Sequence, residues 1–379
     1  MNLPKNTINT CKPSLLHNLH VNLLSKAIRF GIAGMAIATV PIDLAQAQSF
    51  PAIIELDQLN TSGSALGITI DGANESENSG VNINGACDFN GDGIDDVLIS
   101  LTPQITSNNP IPRNGFIVYG PLNSGESVDL STLNQAQSAG GLVIQGSDNG
   151  LRRNTLDCAG DINGDGIEDI IIGSSDQRVS NYNPYEGVSY LIYGTTEPPE
   201  LIELSNFPSD SGSIINGEEN NSKLGYSVSS AGDINGDGYD DLLLGAFLGN
   251  QGPNFSTTGR AYLIFGNDVL PPIINLNMLN QSGSANGTVF NGINRSDNAG
   301  RSVSAAGDVN DDGIDDILIG ANFATNQNGI VGGQAYIVFG SDQIPPLVEL
   351  SMLNQPAGIN GVVINSITSG DNLSNSSTA

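Results

Sequence analysis

The stretch Asp233-Ile234-Asn235-Gly236-Asp237-Gly238-Tyr239-Asp240-Asp241 decides how the rest of the chain is read. Acidic or amide side chains stand at its positions 1, 3, 5 and 9. Odd positions of a tight loop can turn inward, so Asp233, Asn235, Asp237 and Asp241 can converge on one point. Several carboxylates at one point repel unless a hard cation lies between them. An all-oxygen set with a backbone carbonyl at position 7 suits calcium. Gly238 permits the sharp turn after the third ligand. Leu242-Leu243-Leu244 follows, a short apolar run that reads as a buried strand.

The pattern occurs three more times, as residues 88–96 (DFNGDGIDD), 161–169 (DINGDGIED) and 308–316 (DVNDDGIDD). The first aspartates lie 73, 72 and 75 residues apart, and each loop again runs into an apolar triplet. One such loop could be a solvated acidic turn. Four in register with a longer repeat point to metal. EF-hands need a glutamate at position 12 and flanking helices. Here position 12 is Ile99, Ile172, Leu244 or Ile319, and the flanks read as strands.

The 379 residues carry a formal charge of −28, which argues against nucleic acid and anionic membrane surfaces as partners. The loops hold 17 of the 40 acids, so much of that charge is localised. Residues 1–47 read as a secretory signal. Lys5, Lys12, Lys26 and Arg29 form a basic front, residues 30–40 a short apolar stretch, and Ala45-Gln46-Ala47 a cleavage signature. The apolar stretch is shorter than the ~20 residues of a membrane span. Cleavage would remove His17 and His20, both histidines, and leave Lys223 as the single lysine. It would also leave two cysteines, Cys87 and Cys158. They stand at non-equivalent places in neighbouring repeats and read as unpaired buried thiols.

From Phe50 onward each repeat shows four strand-like phrases with turn residues between them and no sustained helical periodicity. In the third unit these are 225–232, 242–246, 261–266 and 287–292. Four short strands per unit predict repeated four-stranded antiparallel sheets, which arranged radially make an all-β propeller. The expected division is a leader (1–47), an N-terminal partial repeat (48–72), and blades at 73–146, 147–217, 218–292 and 293–365. A polar tail, 366–379, opens a partial fifth repeat. The fourth-strand phrase at 67–72 has no blade before it. The ring is therefore expected to be incomplete, with self-association through its ends.

These phrases resemble the FG-GAP repeats of integrin α-chain propellers and their bacterial relatives, over about residues 52–365. The specific parts are the glycine before the loop (Gly160, Gly232, Gly307), the loop itself, and Gly-Ala after the apolar run (Gly245-Ala246, Gly320-Ala321). In the first unit Cys87 replaces the glycine and Ser100-Leu101 replaces Gly-Ala. The resemblance implies that each loop joins the first two strands of a blade and binds one calcium ion, about four in all. The implied side-chain ligands are Asp88, Asn90, Asp92 and Asp96; Asp161, Asn163, Asp165 and Asp169; Asp233, Asn235, Asp237 and Asp241; and Asp308, Asn310, Asp312 and Asp316. Ile94, Ile167, Tyr239 and Ile314 would add their carbonyls.

The function expected is a secreted adhesion or ligand-binding module at the cell surface or in the periplasm, taking an extracellular protein or glycan. Its recognition loops would be 100–114, 174–186 and 248–258, which vary between units. No catalytic residue is expected. Without histidine there is no Ser-His-Asp or Cys-His site, and without tryptophan the best sugar-stacking platform is missing. The alternatives are a carbohydrate-active enzyme on a calcium propeller, or a truncated remnant without function.

Overall fold

The apolar run after each acidic loop forms a strand buried between two neighbours. The computed structural model describes residues 67–72, 79–101, 114–123, 127–133, 140–146, 154–177, 185–218, 221–249, 251–252, 256–356 and 358–374. The chain divides at residue 52 into two units, and the first, with the signal reading at 1–47, lies outside the described residues.

Four antiparallel sheets follow one another along the chain. The first contains Ser79–Cys87, Asp96–Leu101, Asn114–Val118 and Gly141–Gln145 in sequence order. The second contains Asn154–Gly160, Asp169–Ser174, Val188–Ile192 and Gly212–Asn216. The third contains Ser227–Gly232, Asp241–Ala246, Arg260–Ile264 and Gly287–Asn291. The fourth contains Ala299–Gly307, Asp316–Ala321, Gln334–Val338 and Gly361–Asn365. These are blades of a β-propeller whose ring is not closed. Their innermost strands pack in succession, first on second, second on third and third on fourth.

Strand periodicity explains the core. Successive side chains of a strand point to opposite faces, and here both faces meet a blade. Leu242 and Leu244 pack toward Ile171 and Leu191 of the second blade. Leu243 between them packs toward Ile317 and Ile319 of the fourth. That is why the second strands read as unbroken apolar runs rather than as an alternation.

One expectation is extended and one needs correction. The four antiparallel strands expected in each blade are present, and the first three sheets each gain a fifth, parallel strand from the following repeat. Leu201–Glu203 lies on Gly141–Gln145, Ile273–Asn275 on Gly212–Asn216, and Leu347–Glu349 on Gly287–Asn291. Each is three residues long, too short for periodicity to reveal. Thr69–Asp71 pairs in the same parallel sense with Ser127–Asp129. It thus stands where the outer strand of a preceding blade would stand. The cysteines are also paired: Cys87 and Cys158 form a disulfide with Cα atoms 5.6 Å apart. Innermost strands of adjacent blades converge, so positions that are not equivalent along the repeat become neighbours across the hub.

The tail is docked as far as the structure describes it. Ser366, Gly370 and Leu373 donate backbone hydrogen bonds to Gly333, Val331 and Gly332. Gly292, Ser296 and Ala299 make the equivalent bonds to Gly259, Thr257 and Thr258 one repeat earlier.

Candidate metal centre

Each acidic loop joins the first strand of a blade to the second and folds the same way in all four blades. The position 1 carboxylate accepts the amides of positions 5 and 6 at 2.8–3.0 Å: Asp88 from Asp92 and Gly93, Asp161 from Asp165 and Gly166, Asp233 from Asp237 and Gly238, Asp308 from Asp312 and Gly313. Asn90, Asn163, Asn235 and Asn310 at position 3 accept the same position 5 amide. Asp92, Asp165, Asp237 and Asp312 accept from position 7. Positions 1, 3 and 5 are thereby gathered over one turn. Gly238 at the turn has φ +94° and its counterparts are likewise left-handed, a conformation that costs a side-chain-bearing residue energy.

Position 9 forms the floor. Asp96, Asp169, Asp241 and Asp316 are fully buried. One oxygen of each accepts the position 2 amide and the other accepts a glycine amide at the end of the third strand: Gly120, Gly194, Gly266 or Gly340. Burial pushes Asp96 up to about 6, and Asp169 and Asp241 up to about 8. The loops' own aspartates add to the rise and the two amides oppose it. Exposed Asp308 is held below the usual carboxylate range, chiefly by the Gly313 amide. No loop acid pairs with a lysine or arginine among the described residues; Lys223–Asp176 and Arg260–Glu218 lie elsewhere.

The donor set fits a hard divalent cation: three carboxylates and one amide oxygen per loop, with no nitrogen or sulfur ligand. Among the described residues, the three ligand-type side chains drawn within 4.8 Å of one another are Cys87, Cys158 and Glu168, whose sulfurs are bonded to each other. The three aspartates of a loop do not meet that closely, because the ninth faces the two amides. Ile94, Ile167, Tyr239 and Ile314 stand at position 7. A cleft of about 720 Å³ opens beside the second loop between Asn163, Asp165, Tyr193, Glu197 and Leu201. A similar one of about 550 Å³ flanks Asn310 and Asp312. Both give solvent a path to positions 3 and 5.

Sequence reasoning left position 8 without a role. The structure gives it one across the blade boundary. Glu168 accepts the amide of Asp88 at 2.7 Å, Asp240 that of Asp161 at 2.8 Å, and Asp315 that of Asp233 at 3.1 Å. The side chain at position 7 also reaches the preceding loop: a Cβ added to Gly164 would meet the Tyr239 ring at 2.5 Å. The signal available in sequence was an acid at position 8 in all four loops. Of the recognition loops expected above, residues 102–113, 178–184, 250 and 253–255 lie outside the described residues.

Comparison with known proteins agrees with the repeat reading. The FG-GAP repeat family matches at residues 224–264 and 299–338, which fall in the third and fourth blades. Phosphatidylinositol-glycan-specific phospholipase D of Bos taurus is 37% identical over 121 residues, 32% of this chain and 14% of that protein. Integrin alpha-5 of Xenopus laevis is 31% identical over 167 residues, 43% of this chain and 13% of that protein. Integrin alpha-4 of Xenopus laevis is 31% identical over 176 residues, 44% and 14% of the two chains. The chain therefore carries FG-GAP repeats and is similar to integrin α chains, and it spans about one-seventh of the length of these relatives. Among the described residues no helix is long and apolar enough to cross a membrane.

Proposed function

We propose that this chain is a secreted, calcium-stabilised propeller module that binds an extracellular protein or glycan. The observation that carries the calcium part is the fully buried aspartate at position 9 of every loop, set behind two further aspartates with no basic partner among the described residues. A carboxylate buried beside two further aspartates, with two backbone amides but no basic side chain to offset its charge, is costly to ionise, and a divalent cation would relieve that cost. The ions would lie against positions 1, 3, 5 and 9 and draw on the carbonyl of position 7. Extracellular calcium modules bind at roughly 0.1–1 mM. At tenfold excess calcium each site would add ~1.4 kcal/mol of stability, so four would add about 5–6.

The integrin-like repeats favour a ligand-binding or adhesion role over catalysis. One relative is named a phospholipase, but the match covers 14% of it. Beyond residue 47 this chain has no histidine to serve as a general base or zinc ligand. The leader at 1–47 supports export to the cell surface, the periplasm or the medium.

Immobilised chain lacking residues 1–47, incubated with its native extracellular fluid, tests the role. Ligand retained in calcium, released by chelator and not retained by a variant with Asp92, Asp165, Asp237 and Asp312 changed to alanine is the expected result. Retention of nothing in either condition contradicts a binding role, and turnover of a glycan by the chain favours the enzyme.

A further inference from the structure

We propose that Glu168, Asp240 and Asp315 are positioning residues that couple neighbouring metal loops, so that the four sites fill cooperatively along the arc. The inference rests on the calcium reading above and adds to it. In each pair, a carboxylate of one blade holds the first backbone N–H of the preceding blade's loop. That N–H belongs to the residue whose side chain is the first ligand. The grip is doubled. The position 2 carbonyl of Phe89 accepts from Thr195 of the next blade at 3.0 Å, and that of Ile234 from Ser341 at 2.9 Å. Asp240 also donates its own amide to the Asp161 carbonyl at 3.3 Å.

Residues around these bonds differ in step with them. A Cβ added to Gly160 would stand 2.2 Å from the Asp240 carboxylate, and one on Gly232 would stand 2.2 Å from that of Asp315. The glycine before the loop is the space the next blade's acid occupies. Gly307, in the fourth blade, has nothing within 4 Å of such a Cβ. The first blade has Cys87 there, with a real Cβ, and the acid facing it is Glu168. Its extra methylene lets the carboxylate reach the Asp88 amide past that obstruction. Two departures from the repeat, Cys87 and Glu168, thus have one explanation.

The coupling follows from where position 8 sits. Its backbone lies between the carbonyl of position 7 and the carboxylate of position 9. A cation in the third loop would fix Tyr239 and Asp241, and so fix Asp240 between them. That aims its carboxylate at the Asp161 amide and sets the first ligand of the second loop. The same cation draws charge from Asp233 and Asp237, which lowers the repulsion felt across the boundary. By linkage the second site must strengthen the third by the same factor. Asp95, the eighth residue of the first loop, is exposed and has no preceding loop to hold among the described residues.

The test is calorimetric calcium titration of metal-free chain, with amide hydrogen exchange read at Asp161. Asp240→Ala is expected to weaken one site about tenfold, to reduce cooperativity, and to speed exchange of the Asp161 amide with and without calcium. Asp240→Asn, which keeps an acceptor oxygen, is expected to restore part of each effect. Asp95→Ala is the control for substitution within a loop and should change no affinity. Unchanged affinities and unchanged exchange in Asp240→Ala, with four sites still filled independently, would overturn the coupling and leave the calcium reading intact. Failure of the parent chain to take up calcium would overturn both.

Discussion

Gly232 and Gly307 occupy the same place in their repeats, with φ +65° and +63°, and differ in what faces them. Only Gly232 lies against a carboxylate of a following blade. Alanine at Gly307 should therefore cost about 1–2 kcal/mol, the ordinary penalty of a left-handed residue. At Gly232 the cost should be larger by a further 1–3 kcal/mol, because Asp315 must move and its hydrogen bond must lengthen. Chemical denaturation of both variants checks this, and equal losses would contradict the account. Ligand-type residues at positions 1, 3, 5 and 9 could be read from sequence because their pattern is local. Glycine before the loop could be seen but not explained, since its reason lies 80 residues away for Gly160, in Asp240, and 83 away for Gly232, in Asp315, beyond the reach of any local rule.

Innermost strands meet at the hub, and Asp157 shows what their meeting costs. It accepts hydrogen bonds from Asn84 of the first blade and the Cys158 amide, and Ser229 of the third blade also bonds to it. Burial still wins and pushes its carboxyl up to about 6. A carboxyl raised in the folded state binds its proton more tightly there than in the unfolded chain. Stability therefore falls as pH climbs from about 4 to about 6 and levels off above. Asp157→Asn keeps an acceptor for Asn84 and removes the charge. In saturating calcium it should match the parent chain near pH 4 and exceed it above pH 6 by about 2–3 kcal/mol. Parallel pH–stability curves would sink this reading. The second, third and fourth strands of each blade were legible because they are apolar runs of five or six residues, and the first because it leads directly into the acidic loop. The three-residue parallel strands were not, and neither was the disulfide, because both join parts of different repeats.

Across the whole molecule the blades are alike but their surroundings are not. Leu243, Leu263 and Phe290 of the third blade are fully buried against the fourth. Their counterparts in the fourth blade, Leu318, Ile337 and Ile364, are less covered; Ile364 is 41% exposed. The outer strand of the fourth blade, Gly361–Asn365, also carries no parallel partner among the described residues. An uncovered apolar face with a free edge invites association. Light scattering of the chain should show mass rising with concentration, and Ile364→Lys should suppress the rise; a monomer at every concentration would contradict it. The central claim is that four loops bind four ions, and calorimetry on metal-free chain tests it most directly. The account predicts close to four calcium ions per chain, and three for Asp237→Ala. A stoichiometry of zero or one would contradict it.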